Sequence, residues 1–255
     1  MDKSLTISVI TACFNSEETI GDAIATLKQQ TWPAVEHVVV DGASKDGTVA
    51  IARNTLGDSD ILISEPDQGI YDALNKGIAH ASGEVVGFLH SDDLYAHDEV
   101  LSRVAACFAD PAVGAVYGDL QYVQADKTER VIRHWKSGPF NRGKLKRGWM
   151  PPHPTFFMRR ELYRELGGFD LAYRIAGDYD AMLRYLGSEK VKVVYLPEVL
   201  VKMRVGGASN GSLKQILHKS REDIAAMRNN GINPIVALPC KNLSKLPQFI
   251  KARLS

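Results

Sequence analysis

The chain has 255 residues, 45% of them hydrophobic, and its 31 basic and 30 acidic side chains leave a formal net charge of +1. This length and apolar content are ample for one large α/β domain, or for one domain with an appendage. The near-zero net charge excludes a strong overall electrostatic attraction to nucleic acid.

The cysteines and the termini bear on the cellular compartment. Cys13, Cys107 and Cys240 are odd in number and far apart, which excludes a zinc-binding spacing or a disulfide framework and indicates a reducing environment. The first residues lack a basic segment followed by an apolar one, and no apolar run approaches the ~20 residues that span a bilayer. We therefore expect a cytoplasmic protein, with at most peripheral contact to the inner face of the plasma membrane.

Apolar runs that suit buried strands alternate with helical patterns along the first half of the chain. Strands are predicted over 6–12, 36–40, 60–64, 85–89 and 113–117, and helices over 48–56, 70–80 and 98–109. A further helix, with Ile20, Ala23, Ile24 and Leu27 on one face, follows the first strand, and Asn15 and Glu18 are predicted to cap it. This alternation predicts a doubly wound, mostly parallel sheet flanked by helices.

The most informative stretch is 83–93, in which a short apolar run ends abruptly in His90-Ser91-Asp92-Asp93. Open α/β sheets bind ligands at the carboxyl ends of their strands. Adjacent carboxylates there are costly unless they are paired, and a divalent cation bound to phosphate would satisfy both. The alternative is a solvated turn, or a cap for the helix that begins near Asp98.

The second strand leads into the loop Asp41-Gly42-Ala43-Ser44-Lys45-Asp46-Gly47-Thr48. It is not a dinucleotide-binding fingerprint, because no Gly-x-Gly-x-x-Gly follows the strand, and Ala43 and Lys45 exclude an EF-hand. Two interpretations remain open. The Asp41 carboxylate accepts a hydrogen bond from a nucleobase, or it stabilises a capped tight turn.

Three further features of the chain each carry two interpretations. Lys76, on the helix 70–80, either reaches a diphosphate or is solvated. His153, between two prolines, either faces donor phosphates or acceptor, or is a satisfied buried histidine. Asp178 and Asp180 open a helix, where capping by carboxylates is the alternative to a catalytic role.

Residues 130–150 carry seven lysines and arginines and no acid, interleaved with Trp135, Phe140 and Trp149. No nucleic-acid-binding motif accompanies this segment, so we predict no nucleic-acid partner. It is interpreted as a mobile loop facing an anionic acceptor or phospholipid, or as a solvated surface loop.

Taken in order, these motifs resemble the family 2 glycosyltransferases of GT-A fold. The pieces are Phe14-Asn15 after the first strand, the loop 41–48, the segment 75–84 and Asp92-Asp93. The resemblance extends from about residue 5 to about residue 210, and the stretch 64–93 resembles a branch that builds bacterial surface polysaccharides.

The resemblance implies an inverting transfer of a hexosyl or N-acetylhexosaminyl group. The donor would be a nucleoside diphosphate sugar, UDP-linked in our prediction. The acceptor would be a glycan hydroxyl, carried on a polyprenyl-diphosphate lipid in exopolysaccharide, capsule or O-antigen assembly. Mg²⁺ or Mn²⁺ would be the cofactor.

The resemblance also assigns roles to individual residues. Ala12 and Phe14 fall where the family packs against the base, Asp41 where it holds uracil, and Asp92 where it faces the ribose. Asp93 matches the metal-binding acid and Asp178 the catalytic base. Leu74, Ala12 and Gly206 depart from the arginine, proline and histidine that are common in the family.

Two rival functions and a division of the chain complete the predictions. The rivals are a non-catalytic nucleotide-sugar or glycan-binding module, which needs no base at Asp178, and a nucleotidyltransferase, which needs a Gly-rich phosphate loop that 12–17 does not provide. We expect a glycosyltransferase domain over 1–210, with a nucleotide-binding half (1–120) and an acceptor half (121–210). A C-terminal helix and a basic amphipathic tail, placed against an anionic membrane, would occupy 211–255.

Overall fold

The computed structural model describes the backbone of residues 4–205 and 213–243, with the side chains of 4–205 and 217–243. The described chain forms a mixed sheet whose strand order is β3-β2-β1-β4-β8-β6-β9-β5, with β7 paired to the outer part of β6. The strands are β1 Ile7–Cys13, β2 Val35–Asp41, β3 Ile61–Ser64, β4 Val85–Phe88, β5 Asp93–Tyr95, β6 Val113–Gln124, β7 Val131–Trp135, β8 Phe157–Arg159 and β9 Lys192–Val205.

Helices cover the two faces of this sheet. They are α1 Ile20–Lys28, α2 Thr48–Thr55, α3 Ile70–His80, α4 Val100–Cys107, α5 Arg142–Leu145, α6 Arg160–Leu166, α7 Gly177–Gly187, α8 Leu213–Asn229 and α9 Pro234–Leu243, with a 3₁₀ turn at His153–Thr155. Within the described ranges, no helix is both long and apolar enough to cross a membrane.

Strand β1 shows why the sheet is covered on both faces. All seven of its residues are buried, and four of them are β-branched residues that favour strands. Val9 packs into one core with α1 and α4, whereas Ile10 packs into the other core with α3 and α7. Because successive side chains point to opposite faces, a fully apolar strand requires cover on both, and the doubly wound α/β prediction is confirmed.

The parallel strands bring the predicted donor residues to one edge. β2, β1 and β4 are neighbours of the same direction, and β3 extends the group on the far side of β2. Their carboxyl ends lead to Phe14, Asp41, the segment after Ser64 and His90. The antiparallel strand β8 separates this group from the parallel pair β6 and β9.

Several local predictions differ from the structure. The first helix begins at Ile20 without a side-chain cap, because the Asn15 side chain instead accepts a hydrogen bond from the Lys45 amide. The basic segment 130–150, predicted to be a loop, contains β7, which pairs with β6, and α5, which is capped by Asn141. Gly206, which departs from the family's histidine, and the tail beyond residue 243 lie outside the described residues.

One glycine shows how tightly strand β4 packs against the neighbouring strand β8. A Cβ atom added at Gly87, in β4, would lie 2.3 Å from two ring carbons of Phe157. We expect Gly87→Ala to lower the free energy of unfolding by about 1–3 kcal/mol, because ring and backbone must shift to relieve the overlap. Urea denaturation measures the change.

The matched control for this variant is Gly187→Ala at the end of α7, where no atom lies within 4 Å of an added Cβ. Its free energy of unfolding should stay within about 0.5 kcal/mol of the wild-type value. Equal destabilisation by both substitutions would contradict the packing described for β4.

Candidate active site

The first part of the site is the surface at the ends of β1 and β2. Phe14 follows β1 and is 61% exposed, whereas Ala12, inside the strand, is buried. An added Cβ at Gly42 would lie 2.6 Å from an Asp67 carboxylate oxygen and 3.4 Å from the Phe14 ring. Gly42 thus lies where these two side chains converge, and the exposed aromatic face of Phe14 is suited to stacking on a planar ring.

Asp41, the last residue of β2, has no exposed surface. One carboxylate oxygen accepts hydrogen bonds from the Ser44 amide at 3.0 Å and the Ser64 hydroxyl at 2.7 Å, and the other accepts from the Ser44 hydroxyl. These bonds hold Ala43 in the left-handed region, at φ 61°. The turn-stabilising interpretation fits this geometry, and contact of Asp41 with a nucleobase stays a prediction.

A hydroxyl pair connects the loop after β1 to the segment that carries the carboxylates after β4. The Ser91 hydroxyl donates to that of Ser16 at 3.0 Å, which joins the loop after β1 to the loop after β4. The half-buried His90 precedes this link. Burial lowers the pKa of His90, and the charges of Asp92 and Asp178 oppose that effect, so both carboxylates lie near this imidazole.

Asp93 differs from every other buried carboxylate in the described residues. Five of the six have hydrogen-bond or ionic partners: Asp41 in its serine turn, Asp119 with Ser137 and Tyr195, Asp180 with Arg184, Glu222 with backbone amides and Asp223 with Lys241. Among the described atoms, neither Asp93 oxygen has a hydrogen-bond partner. Burial and the charge of Asp92 raise the Asp93 pKa well above its usual value, and the charge and the backbone amide of Arg204 only partly oppose this.

The burial of Asp93 has a structural cause that the sequence pattern did not reveal. Asp93 begins the short strand β5, which pairs antiparallel with β9 opposite Met203, so it lies under the sheet edge and not in a loop. Asp92, one residue earlier, is half-buried and reaches solvent. A pair of this kind, one acid orphaned and one accessible, is suited to a divalent cation with oxygen ligands.

The protein alone would supply only part of the shell of such a cation. Within the described ranges, no cluster of three or more His, Cys, Asp or Glu side chains is arranged to hold a metal. Mg²⁺ sites at phosphates commonly take one or two carboxylates and complete the shell with phosphate oxygens and water. Asp93 and Asp92 fit that pattern as the protein ligands.

His153 forms the wall beside His90. Its ring centroid lies 4.9 Å from that of Phe88, 5.5 Å from that of Phe169 and 5.6 Å from that of His90. Burial, followed by the charge of His90, lowers its pKa to about 3, so the ring is neutral. Among the described atoms neither ring nitrogen has a hydrogen-bond partner, so the satisfied-histidine interpretation does not fit.

Asp178 enters the site from the first turn of α7. Its carboxylate accepts hydrogen bonds from the Tyr179 amide at 2.7 Å and from the Tyr71 hydroxyl at 3.5 Å. Tyr122 lies near both Asp178 and the acid of β5: burial raises the Tyr122 pKa, the Arg133 charge opposes this, and the charges of Asp93 and Asp178 add to the rise. Asp92, Asp93 and Asp178 therefore lie on the same side of the molecule, around His90 and Tyr122.

Asp178 and Asp180 have different surroundings, as their spacing on the helix predicts. Asp180 is buried, pairs with the Arg184 Nε at 2.8 Å and accepts from the Asn230 side chain at 2.9 Å. Its role is to tie α7 to α8. Asp178 is half-buried and has no cationic side chain bonded to its carboxylate among the described residues.

Gly177 and Lys76 are both held by contacts within the fold. Gly177 is buried, and an added Cβ would lie 2.7 Å from the Tyr71 ring, so a glycine is needed for packing. Lys76 forms an ion pair with Glu65 at 2.8 Å and donates to the Pro66 carbonyl at 2.9 Å. Its contact with a diphosphate stays a prediction.

The motifs missed several residues that complete this region. His90 adjoins the recognised acids, and its position at a strand end was a usable signal. Tyr71 lies on α3 and reaches Asp178 across 107 residues. Lys241, on α9, lies 3.2 Å from the Tyr179 ring centroid and pairs with Asp223 at 2.8 Å. No local pattern could have shown these long-range contacts.

Comparison with known proteins agrees with this architecture. The family model "Glycosyl transferase family 2" matches residues 8–167. An uncharacterized glycosyltransferase of Mycobacterium tuberculosis is 34% identical over 187 residues, covering 72% of this chain and 70% of the relative. A "PGL/p-HBAD biosynthesis glycosyltransferase" of Mycobacterium bovis is 31% identical over 208 residues, covering 80% of this chain and 78% of the relative.

Two solved structures are similar in fold. The mannosyltransferase PcManGT from Pyrobaculum calidifontis, in complex with GDP-Man and Mn²⁺, aligns with a TM-score of 0.67 at 23% identity, over 98% of this chain and 74% of its own. TarS 1–349 of S. aureus, in complex with UDP-GlcNAc, aligns with a TM-score of 0.67 at 20% identity, over 97% and 79%. The family match and the fold together confirm the predicted resemblance: this chain belongs to glycosyl transferase family 2 and has the GT-A fold.

Proposed function

We propose that the protein is an inverting glycosyltransferase in which Asp178 is the catalytic base. The transferred hexosyl or N-acetylhexosaminyl group passes from a nucleoside diphosphate sugar, UDP-linked in our proposal, to a hydroxyl of a glycan acceptor. One observation carries this proposal: the accessible Asp178 carboxylate on α7 and the carboxylates after β4, of which Asp93 has no partner among the described atoms, lie around His90, whose ring centroid is 5.6 Å from that of His153. A non-catalytic binding module has no need for the first of these groups.

An inverting transfer needs one set of groups on each of the two opposite faces of the anomeric carbon. The acceptor oxygen bonds to the anomeric carbon as the bond from that carbon to the diphosphate oxygen breaks. The electron pair leaves with the diphosphate, and the acceptor proton passes to Asp178. Asp178 is suited to accept it because its carboxylate is held by the Tyr179 amide and the Tyr71 hydroxyl and remains open to solvent.

The donor side is assigned to the carboxylates and His90 after β4, and to His153 in the 3₁₀ turn. Asp93, with Asp92 beside it, would hold Mg²⁺ or Mn²⁺, which when bound neutralises charge on the diphosphate. We also propose that Asp92 faces the ribose. His153 presents two buried nitrogens without partners among the described atoms, and a donor oxygen would satisfy one of them. Phe14 and the Asp41 loop would take the base.

The acceptor is proposed to be carried by a lipid, and α9 supplies the supporting surface. This helix exposes Ile235 (82%), Val236 (53%) and Leu243 (61%), whereas its inner face buries Ala237 and Lys241. It thus presents aliphatic side chains to solvent and a lysine to the interior, the reverse of a helix adapted to water.

Cationic residues lie next to this exposed face. Gly148 packs against α9, since an added Cβ would lie 2.7 Å from the Ala237 carbonyl oxygen. Lys146 and Arg147, just before it, are exposed. Aliphatic side chains flanked by cations fit an anionic bilayer surface. Because Lys241 on the inner face contacts Tyr179, binding there would bring a lipid-linked acceptor close to the base.

Replacement of the base tests the proposal directly. Asp178→Asn keeps the shape and removes the basicity, so it should bind the donor normally and lose about 10²–10⁴-fold in kcat. Turnover is measured as nucleotide release from UDP-glucose, UDP-GlcNAc or GDP-mannose with Mn²⁺, with water or a glycan as acceptor. The control is Asp180→Asn, which should lower thermal stability because Arg184 loses its partner. Wild-type turnover in Asp178→Asn would refute the assignment.

The pH dependence of stability tests the unpaired state of Asp93. Its folded-state pKa lies above the unfolded value of about 4, so its ionisation costs stability as pH rises from about 4 through the raised pKa. In EDTA, Asp93→Asn should therefore melt at a higher temperature than the wild type at pH 7.5, and the difference should shrink as the pH falls toward 4. Scanning calorimetry measures both melting temperatures.

The control for Asp93 is Asp119→Asn. Asp119 is also buried, but it accepts hydrogen bonds from the Ser137 amide and the Tyr195 hydroxyl, both at 2.8 Å. Its replacement should lower the melting temperature at pH 7.5. A wild-type protein that is more stable than Asp93→Asn at pH 7.5 in EDTA would show that Asp93 is paired.

Flotation on vesicles tests the α9 surface. The double variant Ile235→Ser/Val236→Ser should float at least about fivefold less with phosphatidylglycerol-containing liposomes than the wild type does, and neither should float with pure phosphatidylcholine. The control Ile132→Ser removes a comparably exposed aliphatic side chain from β7 and should float normally. If the double variant floats like the wild type but loses self-association in gel filtration, the face binds a second copy.

A further inference from the structure

The turn that presents Asp178 is held by a residue from the C-terminal helices. Glu222, on α8, is buried against residues 174–176, the turn before α7. One of its carboxylate oxygens accepts from the Arg174 amide at 3.0 Å. The other accepts from the amides of Ile175 and Ala176, both at 2.8 Å. A single side chain thus satisfies three consecutive backbone donors.

These contacts end two residues before the proposed base. Ala176 is the N-terminal cap of α7, and its carbonyl accepts the first helical hydrogen bond, from Asp180, at 3.0 Å. Fixing the Ala176 amide therefore fixes where the helix starts and the direction in which Asp178 leaves it. Burial alone would raise the Glu222 pKa, but the three amides lower it, so the carboxylate is ionised at neutral pH.

Tyr71 holds the same turn from the opposite side. Its hydroxyl donates to the Ile175 carbonyl at 2.8 Å and reaches Asp178 at 3.5 Å, and its ring packs on Gly177. The turn is thus clamped by Glu222 at its amides and by Tyr71 at a carbonyl. Glu222 makes no contact with the Asp178 carboxylate among the described hydrogen bonds, so any effect on it passes through the backbone.

We propose that Glu222 is a positioning residue for transfer, which holds the turn 174–176 so that Asp178 faces the acceptor hydroxyl. This inference rests on the proposed role of Asp178. A displacement of a catalytic group by about 1 Å costs roughly 10²-fold in rate, so a loosened turn should lower kcat and leave donor binding unchanged. Glu222→Gln removes the charge and directs an amide group at the backbone donors.

The neighbouring carboxylate provides a matched control. Asp223 is also buried on α8, but it pairs with Lys241 on α9 at 2.8 Å and has no contact with 174–176 among the described hydrogen bonds. Asp223→Asn removes the same charge from the same helix. It should loosen the packing of α9 without releasing the turn that presents Asp178.

Hydrogen exchange and kinetics together test the inference. In Glu222→Gln, the peptide covering 170–180 should exchange at least about tenfold faster than in the wild type, whereas in Asp223→Asn it should exchange normally. Nucleotide release from the donor with Mn²⁺ should fall about 10- to 100-fold in kcat, with the donor KM within about twofold. Glu222→Asp, one methylene shorter, should show a smaller loss and serves if the glutamine variant does not fold.

A double variant separates positioning from a purely structural role. If Glu222 acts through the base, Glu222→Gln should cost less than about twofold in kcat when added to Asp178→Asn. Equal losses in both backgrounds, equal losses in Asp223→Asn, or normal exchange at 174–176 would overturn the inference. Full turnover in Asp178→Asn alone would refute the proposed base, while the exchange rates would still decide whether Glu222 holds the turn.

Discussion

The cost of burying negative charge organises this protein. A carboxylate removed from water must find hydrogen bonds or a cation, or else become protonated. Asp41 satisfies this requirement with serine hydroxyls, Asp180 with an arginine and Glu222 with three amides. Asp93 has no comparable partner among the described residues, although it lies at the sheet edge where α/β proteins bind ligands. We propose that this exception marks the position at which a bound cation completes the fold.

The satisfied carboxylates assemble the rest of the site around that position. The Asp41 turn shapes the loop that carries Gly42 next to Phe14, and the Ser16–Ser91 pair joins the loop after β1 to the strand end that carries His90. Asp180 ties α7 to the residue after α8, and Asp223 ties α8 to α9. Elements far apart in sequence are thereby fixed by buried polar contacts, which have strict geometry, and not by apolar packing alone.

This organisation explains which features could be predicted from the sequence. The strand and helix pattern of the first half follows from local periodicity, and the acids after β4 were recognisable because they end an apolar run. The burial of Asp93 depends on its pairing with β9, more than 100 residues away, and the short strand β5 has no local signal. The clamp on the turn before Asp178 was likewise hidden, because Tyr71 and Glu222 contact it across 104 and 46–48 residues. The sequence of α9 does not show which face is exposed. Only the structure shows that Lys241 is buried and that the aliphatic face is exposed.

Calorimetric titration of UDP tests the central claim most directly, because it asks whether the orphaned carboxylate is completed by a cation and a diphosphate. For the wild type, Mn²⁺ should tighten UDP binding at least about tenfold relative to EDTA, a difference of about 1.4 kcal/mol. For Asp93→Asn, the two affinities should coincide. A wild-type affinity for UDP that is the same in Mn²⁺ and in EDTA would contradict the account.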